Sequence, residues 1–218
     1  MSAKRDPVLV IGLGRFGSSV ALTLERMGHE VLGVDMDAQT VQDFSDRLTQ
    51  VVEADCTDPD CLQRLGARDF TSAVVGIGED IEASVLTVLA LADLGVPAIW
   101  AKAVNDRHGR ILEKTGAHHV IFPEARMGER VARLLNEKLL DFIAFDDHFA
   151  IAKLAAPEPI VGLPLVTSDC RRKFAVTVIG VKREGLDFIH ADPDTLIMPD
   201  DLVIVSGKVE DIEKFAAM

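Results

Sequence analysis

Six residues near the amino terminus, Gly12-Leu13-Gly14-Arg15-Phe16-Gly17, have the types and spacing that let a backbone meet a phosphate. Gly12 permits a tight turn, Gly14 lets the backbone approach phosphate oxygens, and Gly17 allows a helix to pack close to a strand. A helix opening here presents free N–H groups and a partial positive charge to an anion. Arg15 lies within the loop, where a guanidinium can fold over a pyrophosphate or a terminal phosphate. Its spacing serves a solvent-facing arginine nearly as well. Asp35 follows Gly17 by eighteen residues, at the end of an apolar run, where an acid accepts hydrogen bonds from both ribose hydroxyls. Asp37 adds negative charge, and no arginine follows to receive a 2′-phosphate. The expected ligands are therefore NAD(H), ATP or ADP, with NADP disfavoured. Asp55 either borders the adenine or simply forms the turn before Thr57 and Pro59, and the spacing does not choose between the two.

Groups able to do further chemistry are scarce. A dehydrogenase needs a general acid–base at the nicotinamide, usually histidine or lysine, and a second domain to hold substrate. The six histidines are His29, His108, His118, His119, His148 and His190. Each reads as structural or exposed, and His108, flanked by Arg107 and Arg110, is expected on a solvated helix face. Neither a zinc-type Cys/His cluster nor a nucleophile elbow is present. The three cysteines, Cys56, Cys61 and Cys170, have no framework spacing and read as reduced thiols. The chain is expected to bind rather than catalyse.

The elements that must position these residues alternate. Short β-rich runs fall at 8–11, 31–34, 51–53, 73–77, 99–101 and 120–122, largely apolar as strands buried on both faces are. Helical patterns lie between them; Phe16, Val20, Leu24 and Met27 form one stripe, with Gly28 as its stop. Such alternation implies a Rossmann-like, doubly wound parallel sheet over residues 1–123, in the order 3-2-1-4-5-6. Residues 125–143 read as one long helix with Met127, Val131, Leu134, Leu135, Leu139 and Phe142 on one stripe. It either packs on its own sheet or, as we expect, acts as a crossover helix docked on a second subunit, within a linker at 124–148. A smaller α/β module occupies 149–218, with strands near 150–154, 176–181, 188–190 and 202–205 and a closing helix at 209–216. About 70 residues make a marginal core, so this module is expected to dimerise.

Composition bounds the partners. The 218 residues carry 48% hydrophobic side chains, enough for a sizeable core, and 23 Lys+Arg against 35 Asp+Glu give a net charge of −12. That balance argues against nucleic acid and against an anionic membrane surface. The most apolar stretch, 85–104, is interrupted by Asp93, Pro97 and Lys102 and is no membrane span. The chain is expected to carry no leader and to be a soluble cytoplasmic protein.

Several segments together resemble the RCK (KTN) regulatory subunits of bacterial potassium-uptake systems of the Ktr/Trk type. They are GLGRFG with Asp35, GIGEDIEASVLTVLALADLGVPAIWAKAVNDRHGRILEKTGA, PEARMGERVARLL, RRKFAVTVIGVKR and PDTLIMPDDLVIVSG. One amino-terminal and one carboxy-terminal domain fill the chain, as in a Ktr subunit. The resemblance implies a cytosolic homo-oligomeric gating ring, commonly an octamer, at the inner face of the membrane on a potassium-conducting membrane subunit. ATP and ADP, or NAD(H), would compete for the loop site. It carries the phosphate loop onto Gly12, Gly14, Arg15 and Gly17, the ribose acid onto Asp35, and the cleft lining onto Gly78 and Lys102. Glu124 matches a glutamate that approaches a divalent or sodium cation at a dimer interface; by itself it reads as a first-turn helix acid. Arg171 matches an arginine that binds cyclic di-AMP in some members, although Cys170 stands where an aliphatic residue is usual. Arg171 and Arg172 also suit a solvated helix end. The alternatives are an NAD-dependent oxidoreductase that takes its substrate site from a partner, and a relative of a potassium-channel gating ring.

Overall fold

The computed structural model describes residues 5–135, 139–146 and 148–218. The chain divides into two compact units, 1–125 and 126–218.

In the first unit six parallel strands form one sheet: β1 (Arg5–Ile11), β2 (His29–Asp35), β3 (Gln50–Glu53), β4 (Ser72–Val75), β5 (Ala98–Lys102) and β6 (His119–Ile121). Their order is β3-β2-β1-β4-β5-β6, the doubly wound order expected from the alternating pattern. Strand β1 shows why the stretch from Val8 to Ile11 is a continuous apolar run. Val8 and Val10 enter a core with Ala21 of α1 (Arg15–Arg26), while Leu9 and Ile11 enter the opposite core with Val88 and Leu91 of α4 (Ile81–Asp93). Both faces are covered from Val8 to Ile11, so no position in that stretch needs to be polar.

The remaining helices of this unit are α2 (Ala38–Phe44), α3 (Pro59–Arg64) and α5 (Asp106–Thr115). Asp37, Asp58, Asp80 and Asn105 cap α2, α3, α4 and α5, each side chain accepting from a first-turn backbone N–H. Helix α1 differs. Its N-cap is Gly14, with no side-chain cap, so its first N–H groups stay available to an outside acceptor.

Helix α6 (Pro123–Leu134) begins two residues after β6 ends. The helix expected over 125–143 stops there, because residues 139–144 belong to a strand, β7 (Leu139–Ala144). Leu135, Leu139 and Phe142 fit a helical stripe, but Leu139 and Phe142 are buried in a sheet while Leu140 and Ile143 face out. A register irregularity between Leu139 and Asp141 lets both apolar side chains reach the same core, which disguises the strand period in the sequence.

The second unit is built on an antiparallel sheet in the order β10-β9-β11-β8-β7, from β7, β8 (Phe149–Ala155), β9 (Val176–Lys182), β10 (Phe188–His190) and β11 (Leu202–Lys208). Buried residues alternate along β8 and β11, the mark of a sheet with one covered face. Two short helices, α7 (Leu165–Ser168) and α8 (Cys170–Phe174), precede β9, and α9 (Val209–Ala216) buries Ile212 and Phe215 in the core. Asp201, fully buried, is held by Arg183 through two hydrogen bonds of 2.7 and 2.8 Å and accepts a third from Met198 N–H at 2.8 Å. Among the described residues no helix is long and apolar enough to cross a membrane.

Candidate nucleotide site

Parallel strands carry their carboxyl ends to one rim of the sheet, and there the first unit opens a cleft of about 950 Å³. Strand order lays out the lining. Asp55 follows β3, Asp35 ends β2, the glycine loop follows β1, Gly78 follows β4, Lys102 ends β5 and Glu124 follows β6. Gly12, Gly14, Arg15 and Phe16 line the cleft, and Gly17 lies behind them in the first turn of α1. The volume lies within the usual range for a small-molecule site.

The loop is shaped by backbone packed on backbone. Gly12 has φ +84°, and its N–H donates to Val34 O at 2.8 Å. A Cβ at Gly17 would lie 1.8 Å from Gly12 O, and one at Gly76 would lie 2.9 Å from the same oxygen. These glycines are required by the fold. Gly14 is different: its φ of −59° suits any residue, and a Cβ there would meet nothing within 4 Å. What that open space favours is something brought in from outside, beside the uncapped end of α1.

Asp35 is held in place by two backbone donors. Leu13 N–H reaches its Oδ2 at 2.6 Å and Asp37 N–H its Oδ1 at 3.0 Å. Each oxygen retains acceptor capacity, so the carboxylate can still take ribose hydroxyls. Asp55 accepts from both the Thr57 hydroxyl and the Thr57 N–H through Oδ1, which holds its carboxyl below the usual range. It therefore forms the turn and lines the cleft at once. Met36, Thr40 and Ile77, which sequence reasoning passed over, line the cleft too. Met36 and Thr40 could have been found by continuing past Asp35 into α2.

On the far side, Lys102 Nζ contacts Glu124 Oε1 at 2.6 Å. The lysine is 14% exposed and lies over Gly78, where a Cβ would come within 2.9 Å of Nζ. Glu124 is 66% exposed. The hydrogen bond from Lys102 leads in holding its carboxyl below the ordinary value, with its own backbone N–H, and the charges of Lys102 and Arg15, acting in the same direction. Among the described residues Arg15 forms no ion pair, and no group of three or more His, Cys, Asp or Glu side chains could hold a metal ion.

The arrangement suits anion recognition better than proton transfer. No described histidine lines the cleft. Cys56 does line it, but burial pushes its thiol up to about 12, so it is no ready nucleophile. His108 is not on a solvated face: it is 1% exposed, its Nδ1 lies 3.4 Å from Val104 N, and burial lowers its pKa. The flanking Arg107 and Arg110 point outward, and the first turn of α5 turns His108 inward. His29 meets Asp6 O, His118 meets Ile99 N, His119 stacks on Trp100, and His190 sits edge-on to Phe188.

In the second unit Arg171 lines a separate groove of about 330 Å³ with Thr177 and Asp192, and its Nε donates to Thr177 Oγ1 at 3.1 Å. Arg172 pairs with Asp169 at 2.6 Å.

Residues 8–123 match the TrkA-N domain family and residues 149–218 the TrkA-C domain family. The chain belongs to the TrkA-N/TrkA-C family. It is 37% identical over 213 residues to Ktr system potassium uptake protein A of Bacillus subtilis, covering 97% of this chain and 96% of that protein. It is 36% identical to the same organism's Ktr system potassium uptake protein C, covering 94% of each. Protein A of the Vibrio alginolyticus Ktr system is likewise 36% identical, over 91% of this chain and 90% of that one. The GsuK RCK domain structure covers all of this chain with a TM-score of 0.68 at 19% identity. The structure of the GsuK channel bound to NAD covers 99% of it with a TM-score of 0.66, also at 19%. This chain spans 49% of the first of those chains and 39% of the second. These structures share the fold of this chain, and the three relatives from Bacillus subtilis and Vibrio alginolyticus are potassium-uptake proteins.

Proposed function

We propose that this chain is the nucleotide-sensing regulatory subunit of a potassium-uptake transporter. The observation that carries the reading is the cleft at the end of the parallel sheet, with an uncapped helix end at Gly14 on one side of the loop and a ribose acid, Asp35, on the other. Adenosine would lie between Asp35 and Asp55, and its phosphates at the amino end of α1 beneath Arg15. ATP, ADP and NAD(H) share that half of the molecule, so all three fit it. Regulation would follow from unequal affinity of a ligand for two states of the protein, with no bond made or broken.

The partner would be a separate, potassium-conducting membrane subunit, and the chain would work as a cytoplasmic homo-oligomeric ring on its inner face. Met127, Val131 and Leu135 on α6 and just beyond it are exposed apolar residues that a second subunit would cover. A cation near Glu124 would need a phosphate and a second subunit as further ligands, and would displace Lys102. Cyclic di-AMP would use the groove at Arg171.

Titration of the chain with ATP, ADP, NADH and cyclic di-AMP by calorimetry, with its mass measured in solution, tests the reading. Micromolar or tighter binding of an adenine nucleotide by a large ring is the expected result. Turnover of NADH with any small substrate would replace it with an oxidoreductase.

A further inference from the structure

Resting on the reading of the cleft as a nucleotide site, we infer that Lys102 and Glu124 form an exchangeable ion pair that reads the distal part of the bound nucleotide. Lys102 leaves Glu124 for a terminal phosphate and stays on it when the distal part carries no such charge.

The strand order supplies the first ground. With Asp35 on β2 and the phosphate loop after β1, a nucleotide laid across the rim runs toward β4 and then β5. Lys102 ends β5, two strand spacings or about 10 Å from β1. It is therefore placed for the group beyond the first phosphates, a γ-phosphate in ATP and a second nucleoside in NADH.

The build of the pair supplies the second. The lysine is mostly covered, and its ammonium end lies over Gly78, where a side chain would crowd it. Its partner is two-thirds exposed, and breaking the contact returns Glu124 to water instead of stranding a charge in the core. Glu124 is also tolerated alone, since it lies in the first turn of α6, where the helix dipole favours a carboxylate. A terminal phosphate with more than one negative charge outcompetes a single solvated carboxylate for an ammonium. Arg15, within electrostatic reach of Glu124 and without an ion pair of its own among the described residues, also lines the cleft and can meet the same phosphate.

Affinities of the full chain for ATP, ADP and NADH, measured by calorimetry with a chelator present, decide the matter for wild type, Lys102→Met, Lys102→Arg and Glu124→Gln. Lys102→Met should weaken ATP about tenfold, as losing one charge-assisted contact does, ADP less, and NADH less than about twofold. Lys102→Arg should restore most of the ATP affinity, and Glu124→Gln should tighten ATP relative to NADH by about threefold. Thermal unfolding of each ligand-free variant checks that the fold is intact. An ATP-to-NADH ratio unmoved by Lys102→Met and Glu124→Gln, with wild type binding both, would overturn the exchange and leave the nucleotide site standing. Wild type binding none of the three would overturn both.

Discussion

Arg183 holds Asp201 by two parallel hydrogen bonds with the carboxylate fully buried, whereas Lys102 reaches Glu124 at the mouth of a cleft with the carboxylate two-thirds exposed. The first pair cannot part without leaving a buried carboxylate stripped of its counter-charge. The second parts into water. The same contrast separates the glycines of the loop after β1: Gly17 is demanded by Gly12 O against its α-carbon, while Gly14 faces open space. Contact distance alone does not tell a structural group from one kept for a ligand. What tells them apart is the state in which its removal leaves the neighbours.

The sharpest test of that contrast is Gly17→Ala. Alanine is ordinarily the better helix residue, yet here its methyl meets a backbone oxygen, so the variant should lose about 3 kcal/mol or more, read as a lower denaturant midpoint. Asp201→Asn comes next, at about 2–3 kcal/mol for a broken buried pair. The Arg183 bond is the leading cause that holds the Asp201 carboxyl below its ordinary 3.8. The stability it brings is complete above that value and is lost as pH falls through the lower folded one. The gap in thermal midpoint between wild type and Asp201→Asn should therefore be constant from pH 7 to pH 5 and close only in more acid solution. A gap that closed near pH 6 would mean the pair is not what stabilises the site.

Gly14→Ala should cost no more than about 1 kcal/mol of stability, the difference between residues at a helix N-cap, yet weaken ATP about tenfold or more. Equal loss of stability and of affinity would place Gly14 with Gly17. Arg15→Ala should weaken ATP more than adenosine, and equal losses in titration would remove its phosphate role. The smallest effect is Glu124→Gln on the ligand-free protein, under about 0.5 kcal/mol by thermal unfolding, as for any exposed pair.

Much of this was legible in the residues. Strands are apolar where both faces are covered, so the runs at 8–11, 31–34 and 73–75 stand out, and alternation with helices leads to the sheet order. Gly12 and Gly17 announce backbone contacts, and Asp35 its place at a strand end. Strand β7 was hidden because Leu139 and Phe142 share a face only through an irregular register, at a spacing that also suits a helix. The burial of His108 was hidden because two neighbouring arginines suggest a wet surface, whereas a first helical turn can send adjacent residues to opposite sides. The pairing of Lys102 with Glu124 was within reach. Adjacent β5 and β6 put Lys102 opposite Ile121, and Glu124 comes three residues later. Nothing in the residue types, however, says that the two charges meet each other before they meet a ligand.

The three glycines at the loop, Gly12, Gly17 and Gly76, touch through their main chains, with no side-chain layer between β1, α1 and the turn after β4. A joint without a cushion has no slack. Were a nucleotide to occupy the cleft as proposed, these atoms would keep their mutual positions and serve as a fixed origin. Superposing liganded forms of the protein on them would register any displacement at the β5–β6 end of the rim as a coordinate of the ligand's identity.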